Sequence, residues 1–294
     1  MIDAAAAVAA INRNHGTRYR LAGAMPGGES GAVHRITDES GAEYILKWGE
    51  GAEFHADRTV TIVRRLRAVG YPVPEIVLAS RDDELPRYLI QRIMPGTRPS
   101  VLSRRMVERV IELNKLQEDG AAEFAENWPA SIVESIERGY RDWCVHKSLM
   151  NYSAETADFL VELKKTAKDA RGLPFRQRDA VHFDFSNANM LVEEDAITGI
   201  IDWNGCRAGD RGFDLVTLGF YALADPATSK SILDHAVRVS GSVAVALYLA
   251  HMVLRQMDWS IRHHDEATIQ RYLAIARSAM AIIRELAPRD TMPS

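Results

Sequence analysis

The sequence predicts an α+β protein in two unequal parts, a small β-rich N-terminal segment with one main helix and a larger, mostly helical remainder. Three observations predict it. Short strand-like runs separated by Gly-rich turns fill the first hundred residues, helical apolar spacing dominates after Ser100, and Met94-Pro95-Gly96 breaks the pattern where the two regimes meet. The expected division is 1–93 and 94–294. At 294 residues and 47% hydrophobic, the chain has enough apolar surface to bury a substantial core.

Taken in order, the Ala-rich run 4–11 reads as a helix, because it is short, lacks a basic leader and ends in Asn12-Arg13-Asn14. Segments 19–21, 32–37 and 43–48 read as strands, the last two joined by the polar turn Asp38-Glu39-Ser40-Gly41. A helix over about 53–69 follows and stops at Gly70 and Pro72. Strands at 76–79 and 87–93 around the loop 80–86 complete a small sheet with one helix against it. Beyond it, 104–116, 132–143, 154–170, 243–257 and 266–286 carry helical spacing. A β island interrupts them at 180–203, where 190–192 and 198–201 pair as a hairpin across Glu193-Glu194-Asp195-Ala196.

The formal net charge of -4 argues against nucleic acid as a partner and favours a basic small molecule. Cys144 and Cys206 stand far apart without a CxxC pattern, so neither a disulfide framework nor a zinc site is indicated, and a reducing, cytoplasmic setting fits. No segment approaches the roughly 20 apolar residues of a membrane span. Monomer and homodimer are equally compatible with the sequence.

The densest chemical signal is Val181-His182-Phe183-Asp184-Phe185-Ser186-Asn187-Ala188-Asn189-Met190-Leu191, followed by Ile200-Ile201-Asp202-Trp203. It reads H-x-D-x-x-x-x-N, then apolar-apolar-D. Phosphoryl transfer needs a carboxylate beside the attacking hydroxyl and hard oxygen ligands for magnesium, and Asp184, Asn189 and Asp202 supply these functions. The hairpin brings Asn189 and Asp202 to one end. The bland alternative, local caps and loop decoration, leaves that coincidence unexplained. Lys47 inside the apolar strand 44–48 reads either as a cation for nucleotide phosphates or as an edge-strand or snorkelling lysine. Pro26-Gly27-Gly28-Glu29-Ser30-Gly31 reads either as a loop over phosphates, with Ser30 as a donor, or as a plain hairpin turn.

These residues resemble the aminoglycoside phosphotransferase-like kinases, distant relatives of the protein kinases. Members carry H-G-D-x-x-x-x-N, then I-D-W or I-D-x, then G-D-x-x-x-D-L; here these are His182 to Asn189, Ile201-Asp202-Trp203 and Gly209-Asp210-Arg211-Gly212-Phe213-Asp214-Leu215. The resemblance covers both parts of the chain and implies a bilobal protein-kinase-like fold. It implies Asp184 as catalytic base with His182 beside it in the catalytic loop, Asn189 and Asp202 as magnesium ligands, and Asp214 as a brace. Phe183 stands where the family usually has Gly. Lys47 and Ser30 are implied on the phosphates, and Gln91 C=O and Ile93 N–H on the adenine edge of ATP or GTP. The acidic partner of Lys47 stays open between Glu53 and Asp57. The resemblance further implies an antibiotic acceptor, an aminoglycoside first, then a basic cyclic peptide such as viomycin or capreomycin, or a macrolide. Candidate acidic walls for a cationic acceptor are Glu134, Glu137, Asp142, Asp258, Asp265 and Glu266, and Tyr140, Trp143 and Trp259 are candidate stacking surfaces. A metabolic kinase acting on choline, homoserine or a sugar, and a nucleotide-binding pseudokinase, are the alternatives.

Overall fold

Asp3 starts the first helix by accepting a hydrogen bond from the Ala6 N–H at 2.7 Å, and Gly16, at φ 64°, ends it. This computed structural model describes residues 3–24, 33–49, 55–81 and 87–287. In chain order the first elements are α1 (Ala4–His15), β1 (Arg20–Ala24), β2 (Val33–Thr37), β3 (Glu43–Gly49), α2 (Ala56–Ala68), β4 (Ile76–Ala79) and β5 (Arg87–Arg92). They are followed by α3 (Arg104–Lys115), α4 (Trp128–Glu137), α5 (His146–Tyr152), α6 (Ala154–Asp169), β6 (Asp179–Val181), β7 (Met190–Glu193), β8 (Ala196–Ile200) and β9 (Arg207–Gly209). Four helices close the chain, α7 (Gly212–Tyr221), α8 (Pro226–Ser240), α9 (Ser242–His263) and α10 (Glu266–Leu286). The class is α+β, as expected.

The five strands β1 to β5 form an antiparallel sheet in the order β1-β2-β3-β5-β4. The two-residue period of a strand sends alternate side chains to opposite faces. Tyr44, Leu46, Tyr88 and Ile90 accordingly pack with Val8 and Ile11 of α1, whereas Leu89 packs with Ala56 of α2. Both faces are thus covered by a helix, where the sequence reading placed one main helix.

The chain divides into two compact units, 1–100 with 188–207, and 101–187 with 208–294. The single cut expected at 93/94 differs from this, and hydrogen bonding gives the reason. The β7–β8 hairpin returns to the first unit: Val192 and Thr97 exchange backbone hydrogen bonds of 2.9 and 3.0 Å, and the Thr198 hydroxyl donates to the Pro95 carbonyl at 2.6 Å. The Ile200 N–H donates to the Pro72 carbonyl at 2.7 Å. Gly96 makes the approach possible, since a Cβ there would lie 2.8 Å from the Val192 carbonyl and its φ is 103°.

The second unit is built around α9, which is buried without a break from Ala244 to Leu254 and packs against α4, α5, α6, α7, α8 and α10. The helix expected at 132–143 instead spans Trp128–Glu137, because Asn127 and Pro129 start it early and Gly139, at φ 65°, ends it. Among the described residues no helix is long and apolar enough to cross a membrane.

Candidate active site

In the first unit, the register of the β7–β8 hairpin sets the chemistry. Met190 pairs with Ile200, and the Ile201 N–H donates to the Asn189 carbonyl at 2.9 Å, so Asn189 sits beside the segment that delivers Asp202. Asp202 takes a left-handed conformation, φ 69° and ψ 53°, turning the chain into the short 3-10 segment Trp203–Gly205. That turn is anchored: Trp203 Nε1 donates to the Ile200 carbonyl at 3.0 Å, and its ring meets Tyr71 edge-on at 5.6 Å. Lys47 on β3 donates through Nζ to Asp202 Oδ1 at 2.9 Å. The lysine side chain is 7% exposed and the aspartate 48%. The pairing answers where the ammonium goes: to the hairpin rather than to Asp57, while Glu53 lies outside the described residues.

Asp202 and Asn189 are hard oxygen donors of the kind magnesium takes. Among the described residues no group of three or more His, Cys, Asp or Glu could hold a metal by itself. Two protein oxygens still suit magnesium, which keeps several waters and shares its sphere with substrate phosphates. The donor set fits.

In the second unit, the loop after β6 carries His182, Phe183 and Asp184. Asp214, on the first turn of α7, braces it: the carboxylate accepts from the His182 N–H at 2.8 Å, the Phe183 N–H at 3.0 Å and Gln117 Nε2 at 2.6 Å. Burial pushes the Asp214 carboxyl up, against the opposing pull of the His182 ring and these donors. His182 is fully buried, and its Nδ1 accepts from the Asp184 N–H at 3.3 Å. Phe183, at φ 75°, occupies the left-handed region, and its ring stacks on Phe213 with centroids 5.2 Å apart at 6°. Asp184 is half-exposed, and Arg255 of α9 donates through Nη2 to its Oδ1 at 2.5 Å. Burial works against the charge of Arg255, but Asp184 and Tyr221 outweigh it and hold the guanidinium above its ordinary range.

Lys47, Asn189 and Asp202 therefore come together in one unit, and His182, Asp184 and Asp214 in the other. Ser30 lies outside the described residues. Gln91 is flanked by Ile45 on one side and Ile76 on the other, within the sheet, whereas Ile93 lies past the last ladder pair and is 41% exposed. Most of the candidate acidic walls are engaged internally. Glu134 pairs with Arg138, Glu137 with Arg171 and Asp258 with Arg262, Asp265 caps α10, and Glu266 accepts from Tyr152. Asp142 is exposed. Of the aromatics, Tyr140 stacks on Trp143 at 5.5 Å, and Trp143 reaches Phe183 at 5.9 Å, while Trp259 leans on His263. Sequence reasoning missed Arg255 and Gln117. An arginine inside the apolar run of α9 was the available signal, because a buried cation requires a partner.

A model of the phosphotransferase enzyme family matches residues 23–241, which include every described residue of both constellations except Arg255. The chain belongs to this family. The chain is 25% identical over 205 residues to hygromycin-B 4-O-kinase of Escherichia coli, a match covering 63% of this chain and 58% of that enzyme. Its fold is shared with a thermostable mutant of aminoglycoside phosphotransferase APH(4)-Ia solved with AMP-PNP and hygromycin B, with TM-score 0.67 and 19% identity over 96% of this chain and 99% of that one. An aminoglycoside-3'-phosphotransferase of type VIII follows at TM-score 0.56 and 22% identity, covering 84% of this chain and 97% of that one.

Proposed function

We propose that this phosphotransferase moves the γ-phosphate of ATP to a hydroxyl of an antibiotic, an aminoglycoside of the hygromycin B kind first, and thereby confers resistance. The observation that carries the reading is the buried Lys47 ammonium 2.9 Å from Asp202, with Asn189 beside it at the hairpin's open end. The pair sets side by side the two charges such chemistry uses, a cation for phosphates and a carboxylate for the metal. The first unit takes the nucleotide, with Lys47 on the phosphates, Ser30 as a further donor, and the stretch from Gln91 to Ile93 along the adenine. Asn189 and Asp202 would hold magnesium, which would offset the charge of the phosphates.

Asp184 is the base. It orients the acceptor hydroxyl and takes its proton as the oxygen bonds to the γ-phosphorus, and the bond from that phosphorus to the bridging oxygen breaks to leave ADP. His182 positions Asp184 and does not itself touch the acceptor. Positioning and charge stabilisation supply most of the rate in this chemistry.

The test is an ADP-release assay with ATP and with GTP against hygromycin B, other aminoglycosides, viomycin, a macrolide, choline and homoserine, coupled to growth of an expressing strain on the antibiotics. Aminoglycoside-dependent ADP release and growth are expected. Turnover only with choline or homoserine would make it a metabolic kinase, and AMP-PNP binding without turnover on any acceptor would make it a non-catalytic nucleotide binder.

A further inference from the structure

Arg255 makes three contacts with two consecutive residues of the catalytic loop. Nη2 donates to Asp184 Oδ1 at 2.5 Å, Nη1 donates to the Phe183 carbonyl at 2.8 Å, and the guanidinium carbon lies 5.4 Å from the Phe183 ring centre. Its side chain is 18% exposed, held within α9, the helix around which the second unit is built. The peptide it grips does not support itself, because a non-glycine residue in the left-handed region costs about 1–2 kcal/mol. Asp214 holds the N–H side of Phe183 and Arg255 the carbonyl side, so the residue that presents Asp184 is clamped from both ends.

We propose that Arg255 is the positioning residue for Asp184, aiming its carboxylate at the acceptor hydroxyl; this rests on the phosphotransferase reading above. An ion pair kept only for stability is a poor account of the arrangement. Asp184 is half-exposed, and pairs with that much solvent contribute little to folding. The planar fork of arginine suits the two acceptors, a carboxylate oxygen and a backbone carbonyl on successive residues, and a lysine ammonium cannot reproduce that spacing and direction. The sequence agrees with a task for this side chain: it directly follows the apolar run Met252-Val253-Leu254 within a helix that is otherwise largely apolar.

Arg255→Ala and Arg255→Lys test it, assayed with ATP against hygromycin B and against water as the acceptor, with AMP-PNP binding and thermal melting measured alongside. Loss of the guanidinium that aims the carboxylate costs about 100-fold in kcat for Arg255→Ala, because misplacement of about 1 Å is enough for such a loss. KM for ATP and AMP-PNP affinity stay unchanged, Arg255→Lys recovers part of the rate, and added guanidinium chloride at millimolar concentration restores turnover to Arg255→Ala but not to Asp184→Ala. Unchanged kcat in Arg255→Ala overturns the proposal, as does a loss in folded protein that neither lysine nor guanidinium lifts. Should Arg255→Ala fail to fold, Arg255→Lys decides: reduced kcat at unchanged ATP KM supports positioning, and wild-type kcat overturns it. Wild-type protein that binds AMP-PNP yet turns over neither acceptor nor water overturns the phosphotransferase reading itself, and the proposal with it.

Discussion

Phe183 takes a conformation most side chains avoid, and its ring explains how it is held there. At φ 75° it carries left-handed strain, yet it stacks on Phe213 and meets Trp128 edge-on at 6.2 Å. Phe183→Ala would lose the ring and keep the strain, whereas Phe183→Gly would lose both. Both variants are expected to unfold at lower urea than wild type, Phe183→Ala by about 3 kcal/mol. The glycine variant should be the more stable of the two by about 1 kcal/mol, the reverse of the usual order. Equal or reversed stabilities in urea titration would remove the strain argument. Next to it, Asp184→Ala is expected to lower kcat by about 10²–10⁴-fold with AMP-PNP affinity intact, and a near-normal rate would exclude Asp184 as the base. Asp184, Asn189 and Asp202 could be picked out as candidates because a fixed spacing links the first two and one hairpin the last two. Arg255 stands 71 residues from Asp184, and Gln117 stands 97 from Asp214, so no local pattern links either to its partner.

α3 and α10, each with one apolar stripe, were legible in the sequence, and α7 was not. α3 was expected at 104–116 and α10 at 266–286, and both alternate buried and exposed faces. α7 is buried from Gly212 to Phe220, so it shows no stripe for periodicity to find. Caps carry a consequence for pH. Asp225 accepts from the Thr228 hydroxyl at 2.7 Å and its N–H at 3.3 Å, and Asp265 accepts from the Thr268 N–H at 2.9 Å. The threonine hydrogen bonds hold both carboxyls below their ordinary range. A carboxyl lowered in the fold contributes stability above its unfolded pKa of about 3.9, and that contribution is lost as pH falls through the folded value. Asparagine caps a helix comparably but does not titrate. The double variant Asp225→Asn, Asp265→Asn should therefore melt near wild type at neutral pH and lose less melting temperature on acidification below about pH 4. Parallel melting curves for the two proteins across that range would show that the caps do not set the acid limb.

The group of Lys47, Asn189 and Asp202 is assembled from distant chain segments, because the first unit takes its sheet from 1–100 and its hairpin from 188–207. Lys47 and Asp202 are 155 residues apart in sequence, and their pairing links the sheet to the returning hairpin. Removing the carboxylate should act twice. Without nucleotide, Asp202→Ala leaves a lysine that is 6% exposed without this carboxylate and should destabilise the fold by about 1–2 kcal/mol. With nucleotide, a ligand that binds only the folded state stabilises by about 2.7 kcal/mol at 100 times its Kd, so magnesium and AMP-PNP should raise the melting temperature of wild type distinctly. EDTA should shrink that rise in wild type, since AMP-PNP alone lacks the cation that Asn189 and Asp202 are suited to hold. Asp202→Ala should show only the smaller rise, with magnesium or with EDTA. A variant whose rise in magnesium equals that of wild type would separate Asp202 from the metal and leave it as the partner of Lys47 alone.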